Sequence, residues 1–168
     1  MELVSPTKEY EASWRRIVEE FRHDDKTIKL WEVLGDPDDL DGCVLMAEKH
    51  AQGMELPADW VPYNILWLVD GVEIVGIVSL RHKLNDFLAR EGGHIGYEIV
   101  PSQRGKGYGN KILELSLRKA KEMGFTRILI ASDDDNVASW KIMEKNGGKS
   151  AGKIETERRI TRRYWIDL

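Results

Sequence analysis

The residues with the clearest chemical content are Arg104-Gly105-Lys106-Gly107-Tyr108-Gly109, set between an apolar run and a helical pattern. Glycines alternating with other residues let backbone N–H groups turn toward one point with no β-carbon in the way. At a helix start those amides add to the positive end of the helix dipole, which makes a site for a diphosphate. Arg104 and Lys106 set positive charge beside it. Glycines alone would equally serve a tight turn with no ligand; the neighbouring cations and the immediate helix start favour phosphate. A Walker loop needs G-x-x-x-x-G-K-[ST], which no stretch supplies. The dinucleotide fingerprint G-x-G-x-x-G fails at its sixth position, Asn110, although Asp133 stands where such a site would use an acid. With a single crossover in the C-terminal half a doubly wound sheet cannot be built, so a nicotinamide-dependent oxidoreductase is a distant runner-up.

These residues must be held by the elements around them. Tyr10, Trp14, Ile17 and Phe21 share one helical face, with Pro6 suited to the first turn. A second helix is expected over 38–50, and Pro57 and Pro62 break any continuation. The apolar runs 63–69 and 72–80, joined by Asp70-Gly71, predict a tight hairpin. A helical excursion over 84–90 precedes Gly92-Gly93, then a strand over 94–100. After the glycine loop come a helix over 110–123 ended by Gly124, a strand over 127–131 and a helix through Lys145 capped from Asp133-Asp134-Asp135-Asn136. Strands near 150–156 and 160–167, and a short edge strand at 1–4, complete a mixed α/β sheet with one parallel crossover, 94–100 to 127–131.

Length and composition narrow the classes. With 168 residues one domain over 1–168 is expected, burying roughly 70% of the surface its unfolded chain exposes, so neither disulfides nor a structural metal are needed. Apolar residues at 42% and charged residues at 32% fit a soluble globule and exclude collagen, disorder and membrane spans. The single Cys43 excludes an internal disulfide, and no secretory signal opens the chain, so a cytoplasmic setting is expected. The net charge of −4 hides an asymmetry: residues 1–70 hold 7 Lys/Arg against 16 Asp/Glu, and residues 71–168 hold 18 against 13. The basic half suits an anion such as a phosphate ester, while interleaved acids argue against nucleic acid as a partner.

Gly96-Tyr97-Glu98-Ile99-Val100-Pro101 followed by Arg104-x-x-Gly107-x-Gly109 resembles the acyl-CoA signature of the GNAT N-acetyltransferase superfamily, whose phosphate loop reads Q/R-x-x-G-x-G/A. Asn136 with Ser139 is similar to that family's Asn-x-x-Ala/Ser at the next helix. The element order resembles the family over nearly the whole chain, while the specific motifs cover about 94–148. The resemblance implies a mostly antiparallel sheet of six or seven strands with a splayed central parallel pair and about four helices. It implies acetyl-CoA as cosubstrate, with the pantetheine arm against the Glu98, Ile99 and Val100 backbone and an N–H near Ile99 polarising the thioester carbonyl. The pyrophosphate would lie on the amides of Gly105, Lys106, Gly107, Tyr108 and Gly109, beside Arg104, and Asn136 and Ser139 would meet the arm. The reaction implied is acetyl transfer to a primary amine by direct attack. The acceptor is a small molecule or a peptide; a homodimer follows only by analogy with the family.

Two positions depart from the family pattern. A tyrosine seven residues after the motif asparagine protonates the departing thiolate in many members; here that position is Met143, and the usual Gly-Phe is Gly147-Gly148. Water then serves as the acid, or the chain is a non-catalytic acyl-CoA-binding module. The transfer also needs a base. An amine of pKa about 10.4 is neutral in only about one molecule in 2,500 at pH 7, a deficit of roughly 4.6 kcal/mol. Glu98 and His94, four apart on the strand beside the thioester, are the candidate bases. Cys43 and His50, about 10.5 Å apart along a helix, are too far for a thiolate–imidazole pair, so Cys43 reads as a buried small hydrophobe. The acidic run 133–135 lacks the glycine an EF-hand loop requires, and the histidines show no metal-ligand spacing, so no metal is expected. Arg81, His82 and Asn85 are polar where the hairpin ends and are candidates to face the acceptor.

Overall fold

The computed structural model describes residues 1–24, 35–157 and 159–168. In chain order the elements are β1 (Glu2–Val4), α1 (Glu11–Arg22), α2 (Leu40–Ala51), β2 (Tyr63–Asp70), β3 (Glu73–Arg81), β4 (Ile95–Ile99), α3 (Tyr108–Glu122), β5 (Arg127–Asp133), α4 (Val137–Lys145), β6 (Lys149–Glu155) and β7 (Ile160–Asp167). The strands form one seven-stranded sheet in the order β1-β2-β3-β4-β5-β7-β6. Every neighbouring pair is antiparallel except β4 and β5, as expected for a mixed sheet with one parallel crossover, and α3 is that crossover.

Alternation along the strands separates two cores. Ile65, Trp67, Val69, Ile74 and Ile77 turn to one face, where Trp14, Ile17, Val18 and Phe21 of α1 and Cys43 and Ala47 of α2 cover them. Trp14 stacks on Trp67 with ring centroids 5.2 Å apart. Leu66, Leu68, Val78, Leu80, Ile95 and Ile99 turn to the other face, beneath Ile112, Leu113, Leu117 and Ala120 of α3 and Met143 of α4. Cys43 is buried as expected, and burial lifts its thiol to about 11, which keeps it protonated.

Local chemistry moves several boundaries. Thr7 caps a short 3-10 turn over Lys8–Tyr10, so the first α-helix starts at Glu11 and not in the turn after Pro6. Tyr10 is consequently only half-buried, edge-on to Trp67. The hairpin pairs Asp70 with Glu73, so its turn residues are Gly71 and Val72, one position later than Asp70-Gly71, with Gly71 at φ +63°. The helical excursion before β4 lies over 86–92, two residues later than expected, and widens into a π turn over Leu88–Gly92. At the start of α2 the Asp39 carboxylate accepts the Gly42 N–H at 2.9 Å. Removing that cap by Asp39→Ala is expected to cost about 1 kcal/mol, read as a lower urea midpoint with an unchanged m-value. An unchanged midpoint would mean the exposed cap contributes nothing.

Candidate active site

The site is built where the sheet comes apart. β4 and β5 pair only at Ile95 and Ile130. On its other side β4 stays bonded to β3: Arg81 N–H donates to the His94 carbonyl (2.8 Å) and Val100 N–H to the Val75 carbonyl (3.1 Å). In an antiparallel ladder alternate residues face the partner, so Ile95, Tyr97 and Ile99 turn their peptide groups toward β5. Beyond the single paired position, Tyr97 and Ile99 present theirs to an open gap. A cavity of about 640 Å³ runs through this gap, lined by Gly96, Tyr97 and Glu98 of β4, by 130–133 of β5, and by Asn136, Ser139 and Met143. That volume is typical of a small-molecule site.

The glycine loop leads into α3 as the sequence requires. Gly107 is the N-cap of α3 at φ +88°, a backbone region that L side chains rarely adopt, and, its chain neighbours and helix apart, none of the described residues comes within 4 Å of where its β-carbon would be. The helix begins at Tyr108, two residues earlier than expected, so its unpaired amides belong to the loop motif itself. Lys106 is exposed and donates to Gln103 Oε1 at 3.0 Å. Tyr108 donates to Asp70 at 3.0 Å. The Arg104 guanidinium does not turn to the loop amides. It clasps Asp24 through Nη1 (3.1 Å) and Nη2 (2.6 Å) and donates Nε to the Ile99 carbonyl at 3.2 Å. Arg104 thus ties the open edge of β4 to the end of α1.

Burial first, and that clasp second, set the state of Glu98. Its carboxylate sits 3.9 Å from Arg104, whose charge Asp24 already engages. Burial lifts the Glu98 carboxyl to about 7; Arg104 pulls it down and Asp24 pushes it further up. A carboxylate with that pKa takes and releases a proton readily near neutrality. His94 does not share the cavity with it. Its Nδ1 accepts the Leu129 N–H at 2.9 Å, its ring lies edge-on to Phe125, and burial lowers its pKa. The strand starts only at Ile95, because Gly93 and His94 divert toward β5, so the even spacing from Glu98 does not put both on one strand face.

Asn136 caps α4, its side-chain oxygen accepting the Ser139 N–H at 3.1 Å, and both residues line the cavity. Met143 is buried and lines it too, where the family pattern has a tyrosine. Two hydroxyls also line the cavity: those of Tyr97 and Ser132 are buried and find no hydrogen bond of normal geometry among the described residues. Burial pushes the Tyr97 phenol up, against a smaller pull from Ser139. Of the polar residues ending the hairpin, His82 bonds the Asn64 side chain at 2.8 Å, while Asn85 bonds the Asp59 carbonyl at 2.7 Å, and Arg81 enters the cavity. Arg81 thus meets the expectation of a polar residue facing this space, and a glycine inside a strand, Gly96, is the further sign that something approaches the backbone there. The acidic run 133–135 is held by cations: Asp133 pairs with Arg159 (3.1 Å), and Asp134 with Lys153 (2.8 Å) and Arg162. Among the described residues no group of three or more His, Cys, Asp or Glu side chains is placed to hold a metal. None of their helices is long and apolar enough to cross a membrane.

The split sheet is the fold of acetyltransferases of known structure. RimL, a ribosomal L7/L12 alpha-N-protein acetyltransferase solved with coenzyme A, superposes with a TM-score of 0.70 at 14% identity, over 100% of this chain and 95% of that one. MccE, the Microcin C7 self-immunity acetyltransferase solved with acetyl-CoA and AMP, gives 0.70 at 18% identity, over 99% and 91%. RimJ of Mycobacterium smegmatis, solved with a CoA-disulfide, gives 0.69 at 16%, over 99% and 81%. No curated protein matches the sequence. The family model for the acetyltransferase (GNAT) domain matches residues 6–149, and the chain belongs to that family.

Proposed function

We propose that the chain, acting as one domain over 1–168, is a cytoplasmic N-acetyltransferase that carries an acetyl group from acetyl-CoA to a primary amine by direct attack. The observation that carries this reading is that Glu98, with its raised pKa, lines the same cavity as the unpaired edge of β4. The residues present fit coenzyme A. Space is open beside Gly105 and Gly107 at the start of α3, and beyond the Ile95–Ile130 pair the β4 edge has no strand partner among the described residues. When bound, acetyl-CoA supplies the acetyl group as a thioester. The amides of Gly105 to Gly109 hold its pyrophosphate, the Tyr97 and Ile99 edge takes the arm as an added strand, and the Ile99 N–H donates to the carbonyl oxygen. Asn136 and Ser139 meet the arm from the opposite side of the gap.

Glu98 takes the proton of the incoming ammonium, so that the nitrogen lone pair forms the new amide bond as the carbon–sulfur bond breaks. At a pKa of about 7 it does so without the full penalty of a bulk-water carboxylate facing an amine of pKa about 10.4. The nitrogen sheds its second proton as the amide forms, and that proton passes through water or the Tyr97 hydroxyl, which is restored in the relay, to the departing thiolate, since Met143 has none to give. Met143 is also what favours the second reading, a module that binds acyl-CoA without turnover. Mixing the protein with acetyl-CoA and a mixed amine library separates the two. Free thiol and an N-acetylated amine, matched one to one by mass spectrometry, are expected. Tight acetyl-CoA binding with no thiol released across the library would overturn transfer and leave the binding module.

A further inference from the structure

Arg81 ends β3 and sends its guanidinium into the cavity instead of out to solvent. Gly96 makes the room: a β-carbon there would meet Nη1 and Nη2 of Arg81, each at 3.1 Å. The fork therefore lies against β4 on the face that Glu98 shares, two residues on, a spacing of about 6–7 Å along a strand. Its own contacts are weak. Nη1 reaches the carbonyls of Gly92 and Gly93 at 3.3 and 3.4 Å, both at the long limit for a hydrogen bond. No carboxylate among the described residues forms an ion pair with it, whereas Arg159, the other arginine lining the cavity, is held by Glu91 and Asp133. Burial draws the Arg81 guanidinium down to about 10, opposed only by Tyr63. A guanidinium carries five N–H donors, and a buried cation is costly unless an anion meets it.

We infer that Arg81 is an oxyanion subsite of the acceptor pocket, so that the amine acetylated here carries a carboxylate or phosphate a few bonds from its nitrogen. The inference rests on the acetyl-transfer reading above. With its anion on Arg81, such an amine places its nitrogen on the Glu98 side of the same strand face. An α-amino acid or an aminoalkyl phosphate has that separation and that charge. A peptide N-terminus offers a neutral amide where the anion should be, and a polyamine offers a second cation; both leave the guanidinium unmet. Sites built around a buried polar group reject analogues that lack its partner far more strongly than apolar pockets reject a methylene.

The test uses matched pairs: L-α-amino acids against their amides, and aminoalkyl phosphates against the corresponding amino alcohols. Binding to the full chain is read by calorimetry without acetyl-CoA, and transfer by thiol release with it. At least one anionic member is expected to bind about 100-fold tighter than its neutral twin, and which arm does so tells carboxylate from phosphate. Arg81→Gln should bring that ratio to within a few-fold of one. Arg81→Lys, which keeps the charge and loses the fork, should leave a ratio about tenfold smaller than the native one, and it serves as the comparison if the glutamine variant melts early. Equal binding of the twins, no binding of any anionic member, or an Arg81 variant that weakens both twins alike would overturn the subsite. Selective anion binding with no thiol release would support the subsite and contradict the transfer reading.

Discussion

With glutamine at position 98, acetyl transfer at pH 7 is expected to slow by about 10²–10⁴-fold, the usual range for loss of a general base. Acetyl-CoA affinity should stay within a few-fold, because the strand edge proposed to hold the arm is main chain. The native kcat/KM should climb about tenfold per unit below pH 7 and flatten above it, since Glu98 must be ionised to act and its carboxyl is lifted to about 7. The glutamine variant should lose that limb. Stability gives an independent sign. A carboxyl raised from 4.5 to about 7 in the folded state keeps its proton while the unfolded chain has lost it. Native stability therefore declines, relative to the variant, as pH rises from about 4.5 to 7, and stays lower above. Melting curves at pH 4.5 and pH 8 check this: the variant should match the native protein at the lower pH and exceed it at the higher. A retained pH limb in the variant would mean another group is the base.

Gly107→Val is the second large effect. At φ +88° a β-branched residue is strained by about 1–3 kcal/mol or forces the loop to turn its amides away. The acetyl-CoA dissociation constant should rise by about 10- to 100-fold, with circular dichroism confirming the fold. Lys106→Ala removes an exposed charge that is hydrogen-bonded to Gln103, worth about 1 kcal/mol or less, so a loss of about fivefold at most is expected. Equal, small losses in both variants would reduce the loop to a turn and take the coenzyme assignment with it.

Periodicity carried the framework. The strands expected at 127–131 and 160–167, the face of α3 with Ile112, Leu113, Leu117 and Ala120, and the edge strand expected at 1–4 were all legible, with β5 running two residues further to Asp133. Boundaries moved where side-chain chemistry competes with the pattern, as at Thr7, whose hydroxyl takes a backbone N–H and delays α1. Residues at a fixed offset in the glycine motif were legible because backbone geometry constrains their type. Long-range pairing was not. Nothing local announces that Arg104 is engaged by Asp24, eighty residues away in sequence, and that engagement is what leaves Glu98 weakly compensated. Nor does spacing reveal that His94 lies outside β4, since its capture of the Leu129 N–H depends on how two distant strands meet. Arg81 was visible only as a polar residue at a strand end; its place in the cavity follows from Gly96 on the neighbouring strand.

The most direct test of this account is a crystal structure with acetyl-CoA bound. The pantetheine arm should run along β4 in the gap beyond the Ile95–Ile130 pair, its thioester oxygen accepting the Ile99 N–H, its pyrophosphate on the amides of Gly105 to Gly109, and Glu98 facing the acetyl group. Coenzyme bound outside this gap, or an acetyl group turned away from Glu98, would contradict it.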